Sequence, residues 1–314
     1  MRTENLTSVT EFILLGLTSH RKTQRLLFCV FLVIYLLTLV GNLVIIILVQ
    51  TNSHLHTPMY YLLTQLSGLE ICYVTSALPQ MLAHLLSGNG AITFTRCILQ
   101  MCICFFLGGA ECFLLGVMAY DRYLAICRPL TYAILMSRWR LLKLASISWG
   151  VPFLFAIIIV GCTLRYPFCG PNRVNHFFCE LPMVMKLGCG DTRIAEAILF
   201  VAAVLVLLGA LSVILTSYGL IVSSVLRMQS NFGYQKAFST CASHLVVVTM
   251  FYGSLISMYI KPQPGTSPDR DKKIAVFYMV ITPLLNPIIY TLRNKDIHRA
   301  VKKMLHRMGF EQKY

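Results

Sequence analysis

Residues 26–49 read LLFCVFLVIYLLTLVGNLVIIILV, 24 positions without a single Lys, Arg, Asp or Glu. Wound as an α-helix at 1.5 Å per residue, this run reaches about 36 Å, enough for the roughly 30 Å hydrocarbon core of a bilayer. In lipid every backbone polar group must be satisfied within the segment, which a helix does and a lone strand does not. Six more stretches follow the same pattern. Pro58–Leu86 is interrupted only by Glu70, and Cys97–Cys127 holds Glu111 and the Asp121-Arg122 pair near its end. Leu144–Leu164, Ala197–Leu226, Ala237–Ile260 and Ile274–Leu292 carry no formal charge. The sequence therefore predicts an all-α membrane protein: an N-terminal segment over residues 1–25, a seven-helix bundle over 26–292, and a tail over 293–314.

The composition agrees. Of 314 residues 57% are hydrophobic and only 12% charged, and the mean hydropathy is +0.70. Soluble domains carry about 25% charged residues, so a water-soluble fold is excluded, and disorder, which needs low hydrophobicity, is excluded with it. The net charge of +15 does not point to nucleic acid, because the basic residues sit between long uncharged runs instead of forming a stripe on a soluble fold. The 12 cysteines are too few for a disulfide-dense mini-protein.

An odd number of spans places the two ends of the bundle on opposite sides. Asn5-Leu6-Thr7 is a glycosylation sequon, which sets the N-terminus outside. With that topology 14 basic residues fall on the inner side and 13 on the outer, so the positive-inside rule barely discriminates. No separate signal peptide is expected within residues 1–25, and the first span serves as the targeting signal. After Leu292, Ile297, Val301, Met304, Leu305 and Met308 share one helical face, opposite Arg299, Lys302, Lys303, His306 and Arg307. That is a basic amphipathic helix suited to an anionic inner leaflet.

Glu70 and Glu111 are the only carboxylates in mid-span. Each would cost roughly 2.5 kcal/mol or more if ionised against lipid, so both should face the bundle interior. Four cysteines, Cys97, Cys169, Cys179 and Cys189, lie on or near the outer side, and they allow three pairings.

The third span ends in Met118-Ala119-Tyr120-Asp121-Arg122-Tyr123-Leu124-Ala125-Ile126-Cys127. Around it stand Gly41-Asn42, Leu55-His56-Thr57-Pro58-Met59-Tyr60, Ser217-Tyr218, Lys236-Ala237-Phe238-Ser239-Thr240-Cys241 and Pro283-Leu284-Leu285-Asn286-Pro287-Ile288-Ile289-Tyr290. In this order and on these spans they make the whole chain resemble the rhodopsin-like G-protein-coupled receptors, and within them the olfactory (odorant) receptors of the class II type. Span six departs from the wider family in reading Phe251-Tyr252-Gly253 without the usual Trp and Pro, which is itself what odorant receptors look like.

The resemblance implies a receptor at the plasma membrane that binds a small volatile ligand and activates a heterotrimeric G protein of the stimulatory olfactory type, raising cyclic AMP. It implies a switch in which Arg122 pairs with Asp121 at rest and is released on activation. Tyr218 and Tyr290 then steady the open form, and Lys236 and His244 lie on the moving inner end of span six. It implies bridges Cys97–Cys179 and Cys169–Cys189, and a sodium ion held by Glu70, Glu111, Asn42 and Asn286. The cluster His176–Glu180 is not read as a metal site, because a bridged Cys179 offers no thiolate.

By the same resemblance the ligand lies beneath the long outer loop. Span three would offer Met101, Cys104, Phe105, Gly108 and Gly109, and span four Phe155 and Ile159. Span five would offer Leu199, Ala202, Ala203 and Val206. Span six would offer Tyr252, Leu255, Ile256 and Tyr259, and span seven Val276 and Met279. No acid stands at Cys104 to meet an amine, and no Lys or Arg meets a carboxylate. Tyr252 and Tyr259 are the expected polar handles, so the expected ligand is small, neutral and mostly apolar. Catalytic motifs are absent from the sequence, which argues against an enzyme. The Asn286-Pro287 break suits a transporter only if a second half repeats it, and none does. The competing reading is a non-olfactory rhodopsin-like receptor for a small lipophilic ligand.

Overall fold

The computed structural model describes residues 9–168, 172–227, 231–260, 268–293 and 295–307. Seven long helices cross in sequence order: α1 (Arg21–Thr51), α2 (Pro58–Ser87), α3 (Phe94–Cys127), α4 (Arg138–Thr163), α5 (Arg193–Leu226), α6 (Asn231–Tyr259) and α7. The last runs as three joined pieces, Pro268–Val276, a π-helical turn Phe277–Ile281, and Thr282–Arg293. A further helix, α8 (Lys295–Arg307), follows.

Most helices begin before the apolar runs that mark them. Hydropathy registers where lipid begins, whereas the backbone ladder continues into water until a cap or a breaker ends it. Five of the seven are long and apolar enough to cross a membrane by composition alone. The other two, α2 and α6, have the length, with 30 and 29 residues, but spend polarity elsewhere. Ser67, Glu70 and His84 of α2 are buried in the bundle, and the inner half of α6 reads NFGYQKAFSTCASH.

The packing inverts the soluble pattern. On α1, Leu26, Val30, Val33, Leu37 and Val40 are exposed while Thr38 and Asn42 are buried, so the apolar stripe faces outward and the polar groups pair inside. Thr38 donates to the Ile34 carbonyl at 2.8 Å, and Asn42 donates to the Thr38 carbonyl at 3.0 Å and to the Pro283 carbonyl of α7 at 3.3 Å. Gly41 lets α1 approach α7 closely, since a Cβ there would stand 3.0 Å from Pro287. The central helix is α3, which touches α2, α4, α5 and α6.

The end of the bundle that carries the N-terminal segment is closed by a small sheet that no stretch of the sequence announces. Strand β1 (Glu11–Leu14) lies between β2 (Ala91–Thr93) and β3 (Arg173–Val174). It pairs antiparallel with β2, Phe12 opposite Ile92, and parallel with β3, Leu14 opposite Val174. Phe12 is fully buried, stacked on Phe94 at 5.8 Å and edge-on to Phe168 at 5.6 Å. Gly90 is obligatory beside it, because any Cβ would fall 2.0 Å from the Leu14 carbonyl oxygen.

Candidate functional site

The disulfide Cys97–Cys179 ties the long loop after α4 to the first turn of α3, with the Cα atoms 5.4 Å apart. The Cys179 amide also donates to Gln100 Oε1 at 2.8 Å. Held there, Phe177, Phe178, Glu180 and the one-turn helix Leu181–Met185 are all buried, so the loop is a roof packed into the bundle. Cys189 is also disulfide-bonded. Cys169, the partner expected for it, lies outside the described residues, as do Asn5 and the side chain of Lys236.

Under the roof is a partly open cavity with about 490 Å³ of space between atoms, open solvent included. α3 contributes Cys104, Phe105, Gly108, Gly109 and Cys112, and α4 contributes Pro152 and Phe155. α5 gives Ala203, Val206 and Leu207, α6 gives Leu255 and Tyr259, and α2 gives Tyr73. A recess of about 230 Å³ extends toward the roof between Met101, Phe178, Glu180 and Tyr278. Ile159, Leu199, Ala202, Tyr252, Ile256, Val276 and Met279, assigned to the ligand site by resemblance, lie outside both linings. Helical spacing assigns a face, and a face wide enough to line a pocket also packs against neighbouring helices.

The polar groups differ from expectation. Tyr252 donates to the backbone carbonyl of Cys112 at 2.9 Å, so its hydroxyl is spent on joining α6 to α3. Tyr259 and Tyr278 both donate to Glu180 Oε1, at 3.4 and 2.5 Å. Glu180 Oε2 lies 3.2 Å from His176 Nε2. Glu180, Tyr278 and Tyr73 were absent from the sequence-derived site. Signals existed for two of them. Glu180 directly follows the bridging Cys179, and Tyr73 lies three residues after Glu70, one turn outward on the same face of α2.

Deeper in the bundle, Asn286 of α7 donates to Glu70 Oε1, and the carboxyl of Glu111 stands beside that of Glu70. Beyond the contact between the two carboxyls, Glu70 Oε2, both Glu111 oxygens and Asn286 Oδ1 are buried with no hydrogen-bond partner among the described residues. Carboxylate and amide oxygens are the ligand type a small hard cation takes. Asn42 is turned to backbone carbonyls of α1 and α7 instead. Among the described residues no group of three or more His, Cys, Asp or Glu is placed to hold a metal ion.

At the opposite end of the bundle Asp121 accepts a 2.7 Å hydrogen bond from Tyr132 in the loop after α3. No ion pair forms between Asp121 and Arg122: neighbours on a helix point about 100° apart, and the phenol takes the carboxylate. Burial is the chief reason the Tyr132 phenol holds its proton more tightly than usual, and Asp121 adds to it. Tyr218 of α5 and His244 Nδ1 of α6 are 2.7 Å apart, and the buried hydroxyl of Tyr290 has no hydrogen-bond partner among the described residues.

A family model described as olfactory receptor matches residues 29–308. Human olfactory receptor 11L1 is 49% identical over 311 residues, covering 98% of this chain and 95% of its own. Mouse olfactory receptor 5AP2 is 45% identical, covering 98% and 96%. Among solved structures, squid rhodopsin superposes with a TM-score of 0.72 at 16% identity, covering 92% of this chain and 87% of its own; the likeness is one of fold.

Proposed function

The chain belongs to the olfactory receptor family, and from that premise we propose that its cavity binds a small, neutral, mostly apolar volatile and that binding activates a stimulatory G protein of the olfactory type, raising cyclic AMP. It is a multi-pass membrane receptor and not an enzyme. The observation that carries the ligand class is the cavity lining. Apart from Tyr73, Tyr259 and two cysteine thiols it is aliphatic, aromatic or glycine, with no charged side chain. An anionic ligand would lose its hydration there with no cation to meet it, and the one nearby carboxylate, Glu180 in the adjoining recess, already accepts from Tyr259 and Tyr278. In this reading the roof and the sheet face the outside, residues 1–25 are extracellular, and residues 293–314 are cytoplasmic at the plasma membrane.

The signal passes from the cavity floor inward along α6. Tyr252 ties α6 to α3 just below the cavity, and Tyr218–His244 ties α6 to α5 near the inner end. Outward movement of α6 would part the second contact and open the inner face around Arg122, where a G protein docks. A bonded arrangement that breaks as a unit is a bistable element of the kind switches need. The test is a cyclic-AMP reporter screen against a broad odorant panel, with wild type, Arg122→Ala and Gly108→Phe at equal surface expression. Both variants are expected to be silent. A full response from Gly108→Phe would put the ligand elsewhere, and activation by charged amines alone would refute the neutral-ligand reading.

The buried oxygens of Glu70, Glu111 and Asn286 support a sodium ion as an inactive-state ligand. Sodium chloride, compared with choline chloride at equal ionic strength, is expected to raise the melting temperature of the solubilised receptor. Glu111→Gln is expected to abolish that difference; an equal shift in the variant would rule the site out.

A further inference from the structure

We propose that the hydroxyl of Tyr73, on α2, is the hydrogen-bond donor by which this cavity selects neutral ligands carrying an acceptor oxygen, such as ketones, aldehydes and alcohols. The proposal rests on the cavity being the ligand site. Tyr73 is 2% exposed and lines both the main cavity and the recess under the roof, so it stands where the two meet. Its backbone carbonyl accepts from Ser76 at 2.6 Å, but among the described residues its hydroxyl has no partner. Every other hydroxyl in the two linings is engaged: Tyr259 and Tyr278 donate to Glu180. The Cys104 thiol is likewise paired, 3.2 Å from Ser76 Oγ.

The space beside the hydroxyl is open because residue 108 has no side chain. A Cβ built on Gly108 would stand 3.4 Å from the Tyr73 oxygen. A ligand oxygen can therefore reach the phenol while the apolar body extends between α3, α5 and α6. The hydroxyl borders the cavity, so a ligand that supplies an acceptor gains a hydrogen bond that a hydrocarbon of the same shape forgoes. Glu180, which lines the recess a short way from Tyr73, presents carboxylate oxygens and disfavours an anionic ligand.

The experiment compares wild type and Tyr73→Phe at matched surface expression, with two cavity-filling controls from opposite walls, Gly108→Phe and Ala203→Phe. The probes are 2-octanone, octanal, 1-octanol, octane and octanoic acid, with acetophenone and ethylbenzene as an aromatic pair. Wild type is expected to respond to oxygenated neutral members. Tyr73→Phe is expected to move their dose–response curves about tenfold to higher concentration, the size of one hydrogen bond, without lowering the maximum. Superimposed curves for wild type and Tyr73→Phe, with the cavity-filling variants silent, would overturn the role of Tyr73 and leave the cavity standing. Undiminished responses in both cavity-filling variants would overturn the cavity and Tyr73 together. Octane or octanoic acid as the most potent octyl probe would overturn the acceptor-oxygen class.

Discussion

His176 has no exposed surface and lies 3.2 Å from Glu180 in the roof loop. The carboxylate favours a charged ring. Burial opposes it and prevails, with the Lys272 cation adding to the effect, and the ring's pKa falls to about 3. The roof is therefore built on a neutral imidazole, packed between Phe177 and Phe178 at 4.8 and 4.7 Å. Below about pH 6.5 the unfolded chain takes up a proton that the folded chain refuses. Stability from this group is thus complete above that value and declines as pH falls toward about 3. The melting temperature of the solubilised receptor is expected to drop between pH 7.5 and 5, and His176→Gln should flatten that slope. An unchanged slope would remove the ring from the account. Lys272, Glu180 and the backbone of Asp271 pack against the same ring.

At the scale of elements, the approach of α3 to α4 depends on a missing side chain. A Cβ on Gly109 would lie 2.9 Å from Pro152 Cβ, against a rigid ring on the facing helix. Phe106 meets Trp149 and Phe153 on the same seam, with ring centres at 5.8 and 5.5 Å. Gly109→Ala is expected to cost about 1–3 kcal/mol by overpacking, seen as a lower melting temperature and less receptor at the surface. A neutral result would mean that α4 can slide without penalty. The helices themselves were legible in the sequence, because twenty apolar residues in a row have few alternatives in lipid. The π-helical turn at Phe277–Ile281 and the three strands were not. Each strand is four residues or fewer, and its partners lie far along the chain, so no local periodicity announces it. The site was legible by face and illegible by atom. Cys104, Phe105, Gly108 and Tyr259 reach the cavity, whereas Tyr252, on the same helix as Tyr259, is diverted by a backbone carbonyl that only the fold supplies.

For the whole molecule, one covalent bond joins the roof to the bundle among the described pairs. Cys97–Cys179 closes a loop across a sequence separation of 82 residues, and loss of a native bridge of this kind typically costs about 2–5 kcal/mol. Cys97→Ser is expected to be retained inside the cell and to give no response, as read by surface staining and the reporter. Normal surface levels would show that the buried segment from Phe177 to Met185 holds the roof without it. The sheet adds a second closure by a different route. Its middle strand is β1, so β2 and β3 each pair with it and not with each other. During synthesis that strand leaves the ribosome first, yet it cannot complete its pairing until Val174 has emerged, about 160 residues later. The cap thus cannot close until more than half of the chain has been made. A full-length receptor whose first strand is sequestered by a chaperone or a bulky fusion would carry its helices and still lack its lid.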